Sequence, residues 1–127
     1  MDPHALRVLA ASLTTFDLAE APTEAARDAS TRMLGTLGSL DLGLSRFQGQ
    51  PPWERHAADE LLFVVDGSVD LTLVQGDDRR RVRLEADDLF VMPAGAWHRS
   101  LATAPVTILF ATPREGNERG FNEDPPC

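Results

Sequence analysis

With 127 residues, 43% of them hydrophobic and 25% charged, the chain has the size and balance of one globular domain with a single core, not of a disordered or fibrous segment. The formal net charge of −8 repels phosphate backbones and anionic lipid, so neither nucleic acid nor a membrane surface is an expected partner. The single cysteine, Cys127, excludes an intrachain disulfide, and the absence of lysine among the 12 basic residues excludes Schiff-base and P-loop lysine chemistry.

The start, Met1-Asp2-Pro3-His4, lacks the basic and apolar stretches of a signal peptide, and no apolar run reaches membrane-spanning length, so a cytoplasmic location is expected. Asp2 followed by Pro3 reads as a helix cap with proline at the first helical position. Leu6, Leu9, Leu13 and Phe16 then recur at helical spacing. Thr23-Glu24-Ala25-Ala26-Arg27 begins a second short helix. From Leu40 the period becomes two: Leu40, Leu42 and Leu44 alternate with Asp41, Gly43 and Ser45, the pattern of a strand that Pro51-Pro52 interrupts.

Leu61–Val65 is a continuous apolar strand ending at the turn dipeptide Asp66-Gly67. Val69, Leu71 and Leu73 alternate up to a turn at Gly76-Asp77-Asp78. Val82 and Leu84, then Leu89–Met92, then Val106–Ala111 complete the strands. The arginines at 79, 80, 81 and 83 read as a solvated hairpin tip rather than a phosphate site. The expected organisation is a helical or extended arm over 1–36, a barrel over 37–113 and a polar, loosely ordered or surface-lying tail over 114–127. Many short strands with frequent turns predict an all-β sandwich or barrel. Leu62, Val64, Leu71, Leu73, Leu89, Val91, Ile108 and Phe110 are its expected core or sheet-facing residues.

Two segments carry chemistry. In Trp53-Glu54-Arg55-His56-Ala57-Ala58-Asp59-Glu60, read as one extended stretch, Glu54, His56 and Glu60 share a parity and face one side. Two carboxylates and an imidazole facing a barrel interior are costly to bury unpaired, and a divalent cation offsets that cost. In Asp87–His98, Pro93-Ala94-Gly95 builds a tight turn and His98 opens the next strand. If that strand lies beside the first segment, His98 completes a four-ligand set. Asp59, of opposite parity, reads as a solvent-facing or loop carboxylate. Trp53 and Trp97 read as packing residues near the pocket mouth, and His4 as a residue without a role in the site.

These two segments resemble the cupin motifs. The first motif of that family is glycine, five residues, H-x-H, three or four residues, glutamate, six residues, glycine; this chain has the Gly49 neighbourhood, Glu54-x-His56, three residues, Glu60, six residues, Gly67. The second is glycine, five residues, P-x-G, two residues, histidine; this chain has Asp87, five residues, Pro93-Ala94-Gly95, two residues, His98. The resemblance runs from about residue 40 to about residue 112 and is closest to small cupins with W-E-x-H, D-E and W-H elements. It departs twice: Glu54 replaces the first histidine, and Asp87 replaces the first glycine of the second motif.

The resemblance implies a cupin-type antiparallel jelly-roll β-barrel and makes His56, Glu60 and His98 metal ligands, with Glu54 in the remaining ligand position. Two imidazoles and two carboxylates suit Fe, Mn, Zn or Ni and do not suit Cu(I). The implied function is metal-dependent chemistry on a small molecule, of oxygenase, isomerase or lyase type, with Glu54 or Glu60 as a base. The alternative is a binding or sensing pocket without turnover, with or without metal. In a pocket without metal, Glu54 and Glu60 would pair with Arg55, Arg46 or Arg99, or hydrogen-bond the two histidines. Finally, if Leu62 and Val64 face inward, then Leu61, Phe63 and Val65 form an outward apolar stripe. Either the N-terminal helix or a second copy of the chain must cover it, and a homodimer is expected.

Overall fold

The computed structural model describes residues 2–126, so Cys127 lies outside the described part. Ten strands and two short helices are present among the described residues. Helix α1 (Leu6–Ala11) begins later than the cap signal suggests: its cap is Ala5, with no side-chain hydrogen bond, and Asp2 and Pro3 are exposed outside it. So short a helix has no stability of its own. It forms where Leu6, Leu9 and Ala10, with Leu13 just beyond, meet the apolar sheet surface of Leu44 and Val65. Phe16, expected on the same helix face, instead opens the two-residue strand β1 (Phe16–Asp17). Helix α2 (Glu24–Ser30) starts as its sequence predicts, with Thr23 Oγ1 accepting a hydrogen bond from the Ala26 amide at 3.1 Å.

Two sheets face each other. In the first, β2 (Thr31–Leu37) and β1 both lie along β3 (Leu40–Gly49); β3 pairs with the later part of β9 (Trp97–Pro113), then follow β5 (Glu60–Asp66) and β8 (Leu89–Met92). In the second, the order is β7 (Asp78–Glu85), β6 (Ser68–Gln75), the early part of β9, β4 (Trp53–Arg55) and β10 (Glu118–Gly120). All pairings are antiparallel except β1 with β3. This is a jelly-roll barrel, and β9 belongs to both of its sheets: residues 97–101 pair with β6, and residues 106–113 pair with β3 and β5. Between these stretches the register of β9 against β3 shifts, from Val106 opposite Phe47 to Ala102 opposite Gly49, and Pro105 within the shift has no amide hydrogen to give to the ladder.

Strand β2 has no clear signal in the sequence, because Arg32 and Gly35 break its alternation and a register shift separates Met33 from Gly35. β10 lies in the segment expected to be loosely ordered; its Glu-Arg-Gly carries no apolar pattern, and it is held by backbone pairing to the edge strand β4.

The barrel interior is filled by Leu62, Val64, Val69, Leu71, Leu73, Leu84, Met92, Ala102, Val106 and Ile108, with Phe110 against them. Two expected core residues turn the other way: Leu89 and Val91 lie on the outer face, 58% and 51% exposed. Leu89–Met92 is apolar at every position, so its sequence fixes no parity; the pairing of Leu62 with Phe90 and of Glu60 with Met92 decides it and sends Met92 inward. The turn of the β6–β7 hairpin is Gly76-Asp77, and the arginines at 79, 80, 81 and 83 are exposed along β7, with Arg83 pairing to Asp70 at 3.1 Å and Glu85 at 3.4 Å. No described helix is long and apolar enough to cross a membrane.

Candidate metal centre

Glu54, His56, Glu60 and His98 meet at one end of the barrel, although not along one extended strand. β4 stops at Arg55, residues 56–59 leave the ladder, and β5 begins at Glu60. The break is needed: six residues of unbroken strand would set Glu54 and Glu60 about 20 Å apart, too far to share anything. The Pro93–Gly95 turn holds the break in place. The Gly95 amide donates to the His56 carbonyl at 2.9 Å, and the Ala94 amide donates to Asp59 Oδ1 at 2.8 Å. Asp59 is thus the loop carboxylate its parity predicted. Glu54 and His98 are directly cross-strand partners on β4 and β9, which puts their side chains on the same face.

His56 Nε2 lies 3.3 Å from Glu60 Oε2 and 3.8 Å from Glu54 Oε2, and His98 Nε2 lies 3.7 Å from Glu60 Oε1. The imidazole centroids are 4.9 Å apart, and donor atoms of Glu54, His56 and His98 all lie within 4.8 Å of one another. Ligand atoms bound at about 2.1 Å to one ion sit at most about 4.2 Å apart, so the closer contacts already have the spacing of donors around a shared cation. His56, Glu60 and His98 are buried, while the Glu54 side chain is 32% exposed and faces Arg119 at 3.6 Å.

His56 Nε2 is buried without a hydrogen-bond partner and lies 3.3 Å from Glu60 Oε2. An unpaired buried nitrogen facing two carboxylates is the donor arrangement that a divalent cation completes, so the residues fit such an ion.

Burial alone would raise the Glu60 carboxyl, but the adjacent His56, the 2.5 Å hydrogen bond from Thr112 and His98 together hold it below the usual carboxylate range. Burial opposes the charged form of His56, yet Glu60, Asn117 and Glu54 outweigh it and raise that imidazole. For His98 burial prevails, and its value falls below the ordinary one although Glu60 pulls the other way.

Arg55, Arg46 and Arg99, the cations expected to neutralise Glu54 or Glu60 in a metal-free pocket, are engaged elsewhere. Arg55 meets Glu118 at 2.5 Å and lies over Trp97; Arg46 binds Thr15, Thr107 and Asp66; Arg99 donates to the Pro51 carbonyl at 3.0 Å. Trp53 and Trp97 are buried packing residues, and the Trp53 indole donates to the Glu123 carbonyl at 3.2 Å. His4 contacts the Leu34 carbonyl and takes no part in the cluster.

Three contributors went unread in the sequence. Thr112 was within reach, because Ile108 and Phe110 set the inward parity that it continues. Asn117 and Arg119 lie in a polar tail with no periodic signal. The cluster opens onto a cavity of about 760 Å³, walled by Phe47, Leu62, Ile108 and Phe110, with Arg119 and Phe121 at its rim.

This fold is a small β-barrel with a possible His/Glu metal site at one end, and comparison with known proteins names the class. The cupin domain family matches residues 45–112, more than half of the chain. The chain belongs to the cupin family. A search of curated proteins gives no match. Among solved structures, a cupin-2 domain protein from Shewanella frigidimarina is 27% identical with a TM-score of 0.56, over 67% of this chain and 80% of that one. A hydroquinone 1,2-dioxygenase solved with Cd²⁺ and 4-hydroxybenzonitrile is 25% identical with a TM-score of 0.55, over 64% of this chain and 61% of that one. A protein from Neisseria meningitidis, 16% identical, shares the fold with a TM-score of 0.64 over 87% of this chain and 99% of that one.

Proposed function

We propose that this cupin binds one divalent cation, Fe, Mn, Zn or Ni, through Glu54, His56, Glu60 and His98, and acts with it on a small molecule held in the barrel cavity. The observation that carries this reading is the buried, partnerless His56 Nε2 facing two carboxylates, with a second imidazole beside them. The reaction is of oxygenase, isomerase or lyase type; the likeness to a hydroquinone dioxygenase favours the first. A bound ion supplies a Lewis acid and a binding position for a substrate oxygen.

The chain's own residues supply the rest. Phe47, Leu62, Ile108 and Phe110 exclude water from one side of the ligand. Glu60, kept ionised and fixed by Thr112, holds its place between the two imidazoles. Glu54, more exposed and lining the cavity, is the carboxylate suited to take or return a proton when the ion is held by His56, Glu60 and His98 alone.

The second reading, a pocket that binds a small molecule without turnover, is favoured by one contact: Arg119 already faces Glu54 and offsets its charge without any ion. Metal analysis of protein expressed in metal-supplemented medium separates the two. The expected result is about one divalent ion per chain in the wild type and none in a His56→Ala/His98→Ala double variant that keeps its β circular dichroism. A metal-free wild type would leave only the binding reading; where the wild type carries the ion, oxygen-consumption screening of the loaded protein tests the oxygenase arm. We further propose a homodimer, since α1 covers the outer sheet face over Leu44, Phe63 and Val65 but leaves Leu89 and Val91 exposed. A cytoplasmic location is consistent with the single cysteine.

A further inference from the structure

We propose that Asn117 is a positioning residue of this site: it selects the tautomer of His56 that turns Nε2, as an unprotonated nitrogen, toward Glu54 and Glu60. The inference rests on the cation-binding reading above and adds to it the group that makes His56 a ligand.

Asn117 Oδ1 stands 2.7 Å from His56 Nδ1. The other end of the amide fixes which atom is which. Asn117 Nδ2 donates to the Pro113 carbonyl at 2.8 Å, and a carbonyl only accepts, so the amide nitrogen is committed there and the oxygen faces the imidazole. That oxygen also only accepts. Nδ1 must therefore carry a hydrogen, and a neutral imidazole has just one, which leaves Nε2 as the bare lone pair 3.3 Å from Glu60 Oε2.

The backbone holds the amide in register. Gly116 passes so close to Ala57 that a Cβ on it would come within 2.5 Å of the Ala57 Cβ, and Glu118 pairs with Arg55 in the ladder that begins one residue later. His98 is oriented by different means. Its Nδ1 meets the carbonyl of Ala96, two residues away, at 3.3 Å. One imidazole is thus set by its own turn, and the other by a side chain 61 residues distant. The second can be removed by substitution while the first stays as an internal control.

The test uses the metal-free protein with ¹⁵N-labelled histidine at about pH 9, where imidazoles are neutral. Wild-type His56 should carry its hydrogen on Nδ1. In Asn117→Ala that preference should disappear while His98 keeps its own. In Asn117→Asp, which retains the acceptor but gives up the donor to Pro113, the Nδ1–H form should return. Zn²⁺ affinity, measured by competition with a chelating dye, should fall roughly 10- to 100-fold in Asn117→Ala and recover most of that in Asn117→Asp. An unchanged His56 tautomer in Asn117→Ala, or equal losses of affinity in both variants, would overturn the proposal. If the wild type takes up no Zn²⁺, the cation reading fails, and the tautomer measurement still decides the role of Asn117.

Discussion

Each imidazole of the cluster is pushed in its own direction, and the difference governs how the site responds to acid. His56 is raised above its ordinary value of 6.5, burial being outweighed by Glu60, whereas burial takes His98 below it. In the metal-free protein the raised His56 stabilises the fold below the unfolded value and loses that contribution as pH rises through its folded value. His98 acts oppositely, costing stability as pH falls below 6.5. A cation needs both nitrogens unprotonated. Uptake of Zn²⁺ at pH 6.5 should therefore release at least about half a proton per ion, mainly from His56, and the release should fade as pH rises through the raised value. Titration calorimetry in two buffers of different ionisation enthalpy measures this, and uptake with no proton released at that pH would show that His56 is not displaced from its proton.

At this scale the sequence was legible for residue type and spacing. Glu54, His56, Glu60 and His98 are all brought together, but the extended-strand parity that suggested it was only part of the reason, since the loop at 56–59 closes the distance. Asn117 was illegible because its meaning depends on a partner 61 residues away.

Turns decide where the elements sit, and two of them make opposite demands. Gly67, between β5 and β6, has φ +87°, and a Cβ there would lie 2.6 Å from the Pro105 carbonyl of β9. Asp87, standing where the second cupin motif has glycine, has φ +73°, a conformation that side chains other than glycine adopt at a cost. Its exposed contact with Arg7 at 3.7 Å offsets little of that. Gly67→Ala should destabilise the protein by about 2 kcal/mol or more, and Asp87→Gly should stabilise it by roughly 0.5–1 kcal/mol. Urea denaturation compares the two, and shifts of the same sign would contradict this account of the turns.

Strands were readable wherever one alternating set was polar, as in β3 and β6. They were ambiguous in β8, where both sets are apolar, and invisible in β10, which is held by main-chain pairing rather than by buried side chains.

For the molecule as a whole, the uncovered outer face of the first sheet is the observation behind the proposed dimer. Helix α1 packs over Leu44, Phe63 and Val65, but Leu37, Leu89 and Val91 remain 62%, 58% and 51% exposed. Burying three such side chains against a second copy contributes about 5–8 kcal/mol on area scales, less the association entropy. Light scattering at low micromolar concentration should give a dimer mass, and Val91→Glu should reduce it to that of the 13.9 kDa chain with the fold intact. A wild type already monomeric would show that α1 alone suffices.

The double membership of β9 has a consequence in time as well as in space. Its early residues carry His98 and its later ones carry Thr112, and Asn117 follows only after both. The side chains that complete the cluster around Glu54, His56 and Glu60, those of His98, Thr112 and Asn117, all lie at least 38 residues beyond Glu60 in the chain. At about 5–20 residues per second, synthesis of that stretch takes seconds, so Glu54, His56 and Glu60 are made well before the strand that buries them. On the cation-binding reading, coordination by all four residues needs β9 in place in both sheets, so metal loading would follow assembly of the barrel rather than nucleate its folding.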